Sequence, residues 1–337
     1  MTHSLPDEIC LFYDGFEAKS LDRPLGRLQS EAHGTLRSIY RTVRGRQLYT
    51  GYYTAFLYLK RGLEAAGKTV HVNNFAKARS MPDAPIGISG YRSVYDRVRL
   101  KNPAVFGPGF VPPPGQIETL ADACNLQVVT LPSEWPCEIW RPTLGDKVYP
   151  MFAPIDHGAW PDLSGQAKTL DVIVYDKVRW NKDERAADLV QPIIRHLEAR
   201  GLSYRVLRYG GHALTDFKKA LGEAKSLLFL CEHETQGLAY QEALASNVPV
   251  LAWDDGVLVD PYQSKLAPPG LVVSSVPYFD DRCGMRFKSG CFEEVFEVFW
   301  PALGSFRPRE YTLENLSFER SATHYLSLLE RARDANS

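Results

Sequence analysis

The sequence predicts an α/β protein with two doubly wound domains, each a parallel sheet covered by helices. The chain has 337 residues, which suits two domains of roughly 150 residues. Short apolar runs alternate along it with longer segments of helical periodicity, the pattern of strands joined by crossover helices. A polar stretch rich in proline and glycine, residues 154–168, interrupts this pattern before it starts again, and we interpret it as the linker.

The first half of the chain begins with a buried strand at Ile9–Tyr13. A helix follows at Gly51–Gly67, where the glycine is suited to end it. The other strand candidates of this half are short apolar runs at residues 69–75, 84–89, 103–107, 126–131 and 147–154. We expect this domain to span residues 1–157 and to lie on the acceptor side of any transfer reaction.

The second half repeats the alternation, and we expect its domain to span residues 158–312. The predicted strands are residues 170–177, 203–211, 227–232 and 248–253. The predicted helices are residues 183–201, 213–226 and 237–247. A last helix within residues 313–337 is long enough to return to the first domain. Two such domains would face one another across a cleft, because open α/β sheets bind ligands beyond the carboxyl ends of their strands.

Composition excludes several broad classes. Apolar residues make up 45% of the chain and the formal net charge is −1, so nothing indicates a general nucleic-acid or membrane partner. We find neither a membrane-spanning apolar run nor a secretory signal, and therefore expect a cytoplasmic protein, with its inner-membrane face as a second possibility. The six cysteines are scattered and the histidines form no zinc-type cluster, so we expect reduced thiols, no metal and no cofactor.

Two acids frame the most informative stretch. Glu234 follows an apolar strand, and Glu242 lies in the next helix. The backbone N–H groups of Gln236, Gly237 and Leu238 at the start of that helix would form a seat for a phosphate. Carboxylates can accept hydrogen bonds from pairs of sugar hydroxyls. The pattern fits a nucleoside diphosphate with a sugar at each end; the alternative is that Glu234 stabilises the helix dipole and Glu242 is solvated.

The stretch "HETQGLAYQEALASNVPVLAWDDG" resembles the signature of retaining glycosyltransferases of the GT-B fold, of the group-one or family-four type. Their motif has two glutamates separated by seven residues, followed by alanine, a small residue and Pro-Val. The resemblance implies two Rossmann-like domains facing a cleft, a nucleotide-diphosphate sugar as donor and no metal. It implies that Glu234 contacts the donor sugar and that Glu242 binds the ribose hydroxyls.

A basic loop follows the first strand of the second domain. The family has arginine and, five positions later, lysine here; this chain has Lys177 and Lys182, with Arg179 between them and Asp183 in place of a glycine. The resemblance implies that two of the three cations stabilise the departing diphosphate, and such stabilisation is the largest catalytic effect available to such a site. The sequence does not say which two, and a solvated basic loop is the alternative.

Loop residues at other strand and helix ends are further candidates. The resemblance implies that Gly210 and Gly211 lie against the nucleobase, although a tight turn explains them equally well. Gly51 is the best match to the family's glycine-rich phosphate loop, but it is a single glycine at a helix start. Asp254 and Asp255 could hold donor or acceptor, and turn chemistry is the alternative.

Arg37, Arg41 and Arg44 have the spacing of one helix face. They could contact anionic lipid headgroups or a lipid-pyrophosphate acceptor at a membrane surface. A solvated face is the alternative.

These features together predict a retaining, metal-independent glycosyltransferase of the hexosyltransferase type. It would move a sugar from a nucleotide-diphosphate donor to a glycan or lipid-linked acceptor. The family resemblance further implies a role in the synthesis of bacterial surface polysaccharide or glycoconjugates. The alternatives on the same fold are a glycan phosphorylase and a nucleotide-sugar epimerase or hydrolase. A non-catalytic nucleotide-sugar-binding protein is the alternative from another class.

Overall fold

The structure is a computed structural model that describes residues 5–23, 25, 26, 28–30, 32, 34, 35 and 50–335. The chain forms two compact units, Met1–Pro154 with Phe318–Ser337 and Ile155–Ser317. Arg37, Arg41 and Arg44 lie outside the described residues. Of the helices within those ranges, none combines the length and apolar character needed to cross a membrane.

The first unit contains a six-stranded parallel sheet in the order β2-β1-β3-β4-β5-β6. Its strands are β1 (Glu8–Asp14), β2 (Thr69–Val72), β3 (Ile86–Gly90), β4 (Ala104–Gly109), β5 (Leu126–Leu131) and β6 (Val148–Pro150). Its helices within residues 50–154 are α1 (Gly51–Ala65), α2 (Phe75–Arg79), α3 (Val94–Arg97), α4 (Ile117–Ala123) and α5 (Glu134–Leu144). The central strands are buried along nearly their whole length, which explains why they appear as continuous apolar runs.

The last helix of the chain, α12 (Phe318–Asp334), belongs to the first unit. Its apolar face joins α1 and the sheet in one core through Ala322, Tyr325 and Leu329. Packing is tight at β3, where a Cβ atom on Gly87 would lie 2.3 Å from the Tyr325 hydroxyl oxygen. The predicted return of the terminal helix to the first domain is therefore confirmed.

The second unit contains a five-stranded parallel sheet in the order β8-β7-β9-β10-β11. Its strands are β7 (Leu170–Asp176), β8 (Tyr204–Arg208), β9 (Ala224–Leu230), β10 (Val250–Trp253) and β11 (Gly284–Phe287). Its helices are α6 (Lys182–Arg185), which continues as a π-helical segment at Ala186–Val190, α7 (Gln191–Ala199), α8 (Leu214–Glu223), α9 (Leu238–Ala245), α10 (Phe292–Phe299) and α11 (Pro308–Asn315).

Strand order defines where each sheet can hold a ligand. In each sheet the second strand along the chain pairs with one side of the first strand, and the third strand pairs with the other side of the first strand. The loops after the first and third strands therefore diverge and leave a crevice at the carboxyl edge. These points lie between β1 and β3 in the first unit and between β7 and β9 in the second.

Three of the differences between the structure and the predicted elements have clear physical reasons. The helix expected at residues 213–226 ends at Glu223, because residues 224–226 already pair with β7. Strand β11 was not predicted, since its four residues lack an apolar run. The last helix is divided: α11 ends at Asn315, and Leu316 leaves the helical conformation, buries its side chain and accepts a hydrogen bond from the Ile155 N–H.

Candidate functional site

The two loops that carry most of the predicted residues meet at the carboxyl edge of the second unit's sheet. Lys177 directly follows β7, and Glu234 lies four residues beyond β9. The Lys177 N–H donates to the Leu230 carbonyl over 2.8 Å, which continues the ladder between the two strands by one residue. The parallel sheet therefore places the basic loop and the acidic loop side by side at its switch point.

Lys177 and Glu234 form an ion pair. Their side chains are 13% and 9% exposed, so the two charges are largely removed from water. The Lys177 amine also lies 4.4 Å from the centroid of the Tyr209 ring, a cation–π distance. The Glu234 N–H donates to the Ser274 carbonyl over 2.9 Å, which fixes the acidic loop. The predicted sugar-binding acid and one predicted phosphate-binding cation are thus in direct contact.

A second set of contacts ties the two loops together. The Glu232 carboxylate accepts hydrogen bonds from the N–H groups of Arg179 and Trp180, each over 3.0 Å. The Arg179 guanidinium donates to the His233 carbonyl over 2.6 Å and lies 4.2 Å from the centroid of the Trp180 ring. Sequence reasoning missed Glu232, although an acid directly beyond a buried strand was a usable signal. Its role is to position the basic loop.

The His233 ring stacks on Trp180, with ring centroids 5.0 Å apart. Burial, followed by the nearby Arg179 charge, lowers the pKa of His233 to about 4. The imidazole is therefore neutral near neutral pH, because a buried cation beside another cation is unfavourable. His233 contributes a flat neutral surface to the loop, and no positive charge.

Glu242 lies half-buried in α9. Burial raises the pKa of its carboxyl group to about 8, and the Lys218 charge opposes that rise. Burial raises the pKa of Tyr175, and the nearby charges of Glu242, Tyr209 and Glu234 raise it further, so both acids lie near this ring. Within the described part of the chain, no side chain hydrogen-bonds to the Glu242 carboxyl group or pairs with it. A partly buried acid in this state is well suited to hydroxyl donors of a ligand.

The start of α9 requires a glycine. Gly237 has φ +83°, and a Cβ atom there would lie 2.2 Å from a Tyr240 ring carbon. No side chain caps the helix that begins at Leu238. The Gln236 side chain donates to that of Gln241 over 3.2 Å, so this amide is directed into the protein. Any ligand contact from Gln236 would therefore come from its backbone.

The contacts described for the other predicted residues do not include the Lys177–Glu234 ion pair. Lys182 is exposed at the first position of α6, and none of its side-chain contacts within the described residues joins it to Glu234. Gly210 and Gly211 form an exposed turn after β8, where Gly210 has φ +75° and the Gly211 N–H donates to the Arg208 carbonyl. Gly51 begins α1 in the first unit, and a Cβ atom there would meet nothing within 4 Å.

Two acids after β10 have structural partners. Asp254 accepts hydrogen bonds from the Ser274 hydroxyl and the Ser275 N–H, each over 2.8 Å. Asp255 accepts from the hydroxyl and N–H of Ser289 over 2.6 and 2.7 Å. Both carboxylates hold loops of the second unit through residues 20 or more positions away, and not through the local turn contacts that the sequence offered as an alternative.

The raised pKa of Glu242 leads to a pH-dependent stability. Between the ordinary pKa of 4.5 and the folded value of about 8, the folded protein holds a proton that the unfolded chain has lost. The free energy of unfolding should therefore fall as pH rises through this window. After allowance for screening at a half-buried group, Glu242→Gln should be more stable than the wild type by about 1–2 kcal/mol at pH ~8.5.

Urea unfolding of both proteins between about pH 5 and pH 8.5 measures this difference. The advantage of the Gln variant should be smallest at the acid end of the range, because pH 5 lies only just above the unfolded pKa of 4.5 and the free-energy difference has barely begun to build up. A constant difference across the range would contradict the assigned burial of the acid.

The site thus combines a shielded cation, an acid held against it, a second acid with no hydrogen-bonding or ion-pair partner among the described side chains, and a helix start without a side-chain cap. Such a site can bind an anion near the cations and hydroxyl groups near the acids. Among the side chains that the structure describes, no cluster of three or more His, Cys, Asp or Glu has the arrangement to hold a metal ion.

Comparison with solved structures shows the fold of the whole chain. AviGT4, a glycosyltransferase involved in avilamycin A biosynthesis, matches with a TM-score of 0.53 and 12% identity over 97% of this chain and 98% of that chain. A glycosyltransferase from Rickettsia africae ESF-5 matches with a TM-score of 0.51 and 9% identity over 96% of this chain and 98% of that chain. No protein-family model matches the sequence, and no curated protein does. The chain has the α/β fold of GT-B glycosyltransferases, with one parallel sheet in each of two Rossmann-like units.

Proposed function

We propose that the protein is a glycosyltransferase that moves a sugar from a nucleotide-diphosphate donor to an acceptor hydroxyl. The observation that carries this proposal is the Lys177–Glu234 ion pair at the edge of β7 and β9, with Glu234 in the loop that leads into the helix of Glu242. A diphosphate has the charge to bind the cation, and sugar hydroxyls have the donors that the two acids accept. The GT-B fold and the Glu-x7-Glu resemblance support the same chemistry.

Each residue has a proposed role. Glu242 binds the ribose hydroxyls, because its carboxyl group has no protein partner among the described residues. Glu234 orients the donor sugar and holds the Lys177 amine in place. Lys177 then stabilises the charge on the departing diphosphate, with Arg179 or Lys182 as the second cation. The bond between the sugar and the diphosphate oxygen breaks, a bond to the acceptor oxygen forms, and the proton of the acceptor hydroxyl passes to the departing diphosphate oxygen.

Retention of the anomeric configuration and independence from metal ions are parts of the proposal that rest on the family resemblance. The same resemblance motivates a setting in the synthesis of bacterial surface glycans, with a glycan or lipid-linked acceptor. Neither part depends on the identity of the base or of the sugar.

The test is a transfer assay with donor sugars of known anomeric configuration, in the presence of a chelator. We expect the release of nucleoside diphosphate together with a glycoside whose anomeric proton coupling matches that of the donor. A product of opposite configuration would overturn retention. Free sugar without glycoside would favour the hydrolase alternative, and strict dependence on added metal would overturn metal independence.

A further inference from the structure

A pocket opens at the switch point of the first unit's sheet. Its walls come from the loops that follow three adjacent strands: Phe16 after β1, Tyr91 after β3 and Phe110 after β4. The pocket has a volume of about 390 Å³. This size lies within the usual range for sites that bind small molecules.

Aromatic rings form most of the pocket wall. The side chains of Phe16 and Phe110 are 55% and 40% exposed, which is unusual for rings of this size. Phe16 packs edge-on against Tyr91, with ring centroids 4.8 Å apart. The backbone beneath is fixed, since the N–H groups of Tyr91 and Phe110 donate to carbonyls of Asp14 and Gly90 over 2.8 Å. The rings therefore present a preformed apolar surface to solvent.

Two cations border this surface. Lys19 is half-buried in the pocket wall, and its amine has no acidic partner among the side chains that the structure describes. Arg92 is exposed and lies 3.6 Å from Asp96, a surface contact of little strength. Both cations are thus available to an anion that enters the pocket.

The pocket is poor in hydrogen-bond acceptors. Its only other polar side chains among the described lining residues are the hydroxyls of Tyr91 and Ser93. Ser93 already donates to Asp14, which is fully buried and also accepts from Ser20 and Arg97. An unsubstituted sugar offers many hydroxyl donors and would find few acceptors here. The chemistry instead matches an apolar group next to a negative charge.

We propose that this pocket binds a small amphiphilic anion, meaning a phosphate or carboxylate carried on an apolar group. The apolar part lies on Phe16, Tyr91 and Phe110, and the anionic part contacts Lys19 and Arg92. If the proposed glycosyl transfer is correct, this molecule is the acceptor or the part of the acceptor next to its hydroxyl. The inference about its role rests on that function, whereas binding itself does not.

Calorimetric titration of the full chain tests this assignment with phenyl phosphate, geranyl phosphate, 4-hydroxybenzoate, neutral 4-hydroxybenzamide, inorganic phosphate and methyl glucoside. We expect at least one amphiphilic anion to bind, and 4-hydroxybenzoate to bind about fivefold more tightly than its neutral amide. The three amphiphilic anions, phenyl phosphate, geranyl phosphate and 4-hydroxybenzoate, distinguish aromatic phosphates, isoprenyl phosphates and aromatic carboxylates as sources of the same chemistry.

Two variants and one control test whether the probes bind in this pocket. Lys19→Met removes the charge but keeps the side-chain length, and should weaken the anionic probes about fivefold without changing the affinity of the neutral amide. Phe16→Leu should weaken phenyl phosphate about threefold, since the exposed ring contributes contact area and not folding. Lys101→Met, an exposed lysine of the same unit, is the matched control and should change nothing.

Three results would overturn the assignment: no binding of any amphiphilic anion, tighter binding of methyl glucoside than of these anions, or equal losses in the Lys19 and Lys101 variants. A parallel titration with nucleoside diphosphates separates this inference from the proposed function. Nucleotide binding without binding of these anions refutes only the pocket assignment. Binding of the anions by a protein that binds no nucleotide refutes only the assignment of the donor site.

Discussion

Replacing Glu242 by alanine should weaken the binding of the cognate nucleoside diphosphate by about 10- to 150-fold. The loss corresponds to roughly 1.5–3 kcal/mol, the usual contribution of a hydrogen bond to a charged group, and the titration is therefore run at about pH 9, above the raised pKa of about 8, where the Glu242 carboxylate is ionised. The structure motivates a large effect, because Glu242 is partly buried and no described side chain satisfies its carboxyl group. Glu294, an exposed acid of α10 in the same unit, provides the control, and Glu294→Ala should leave the affinity unchanged.

A nucleotide that lacks the ribose hydroxyls tests whether Glu242 contacts the ribose. The 2′,3′-dideoxy form of the nucleotide should bind the wild-type protein about as weakly as the normal nucleotide binds Glu242→Ala. The variant should scarcely distinguish the two ligands, because the hydrogen-bond partner is already missing from one side. If the variant discriminates between them as strongly as the wild type does, Glu242 does not contact the ribose.

Removing the Lys177 charge should lower the rate of sugar transfer by about 100- to 1000-fold, the cost of losing one electrostatic contact to a developing charge. Lys177→Met alone also leaves Glu234 buried without its cation, which should destabilise the fold by about 3 kcal/mol. A loss of activity in this variant would therefore be ambiguous by itself.

The double variant Lys177→Met/Glu234→Gln resolves this ambiguity. It removes both charges, so we expect its free energy of unfolding to recover most of the loss. Turnover should stay low, since both the cation and the acid are absent from the reaction. A double variant that regains stability and turnover together would show that the ion pair serves the fold alone.

Much of the fold was predictable because parallel strands buried on both faces appear as continuous apolar runs. The meeting of Lys177 and Glu234 was also predictable in outline, since both follow strands whose carboxyl ends lie at one edge of a sheet. The family resemblance added roles for these residues, which the apolar pattern by itself does not give.

Other features depend on contacts that the sequence does not encode locally. Glu232 holds the basic loop through two backbone N–H groups more than fifty residues away. The inward direction of the Gln236 amide depends on Gln241, which faces it from the first turns of α9. The aromatic pocket of the first unit joins three loops that are far apart in sequence, and only strand order brings them together.

The central claim is that the second unit binds a nucleoside diphosphate without a metal ion. A thermal-shift panel of UDP, GDP, ADP, dTDP and CMP, each with and without Mg²⁺, tests it most directly. A ligand at about 100 times its Kd stabilises the folded state by about 2.7 kcal/mol, which is readily measured. We expect one clear diphosphate response that persists without Mg²⁺ and falls to about 0.3–1.4 kcal/mol in Glu242→Ala, as 10- to 150-fold weaker binding requires. The absence of any response to the five nucleotides would contradict it.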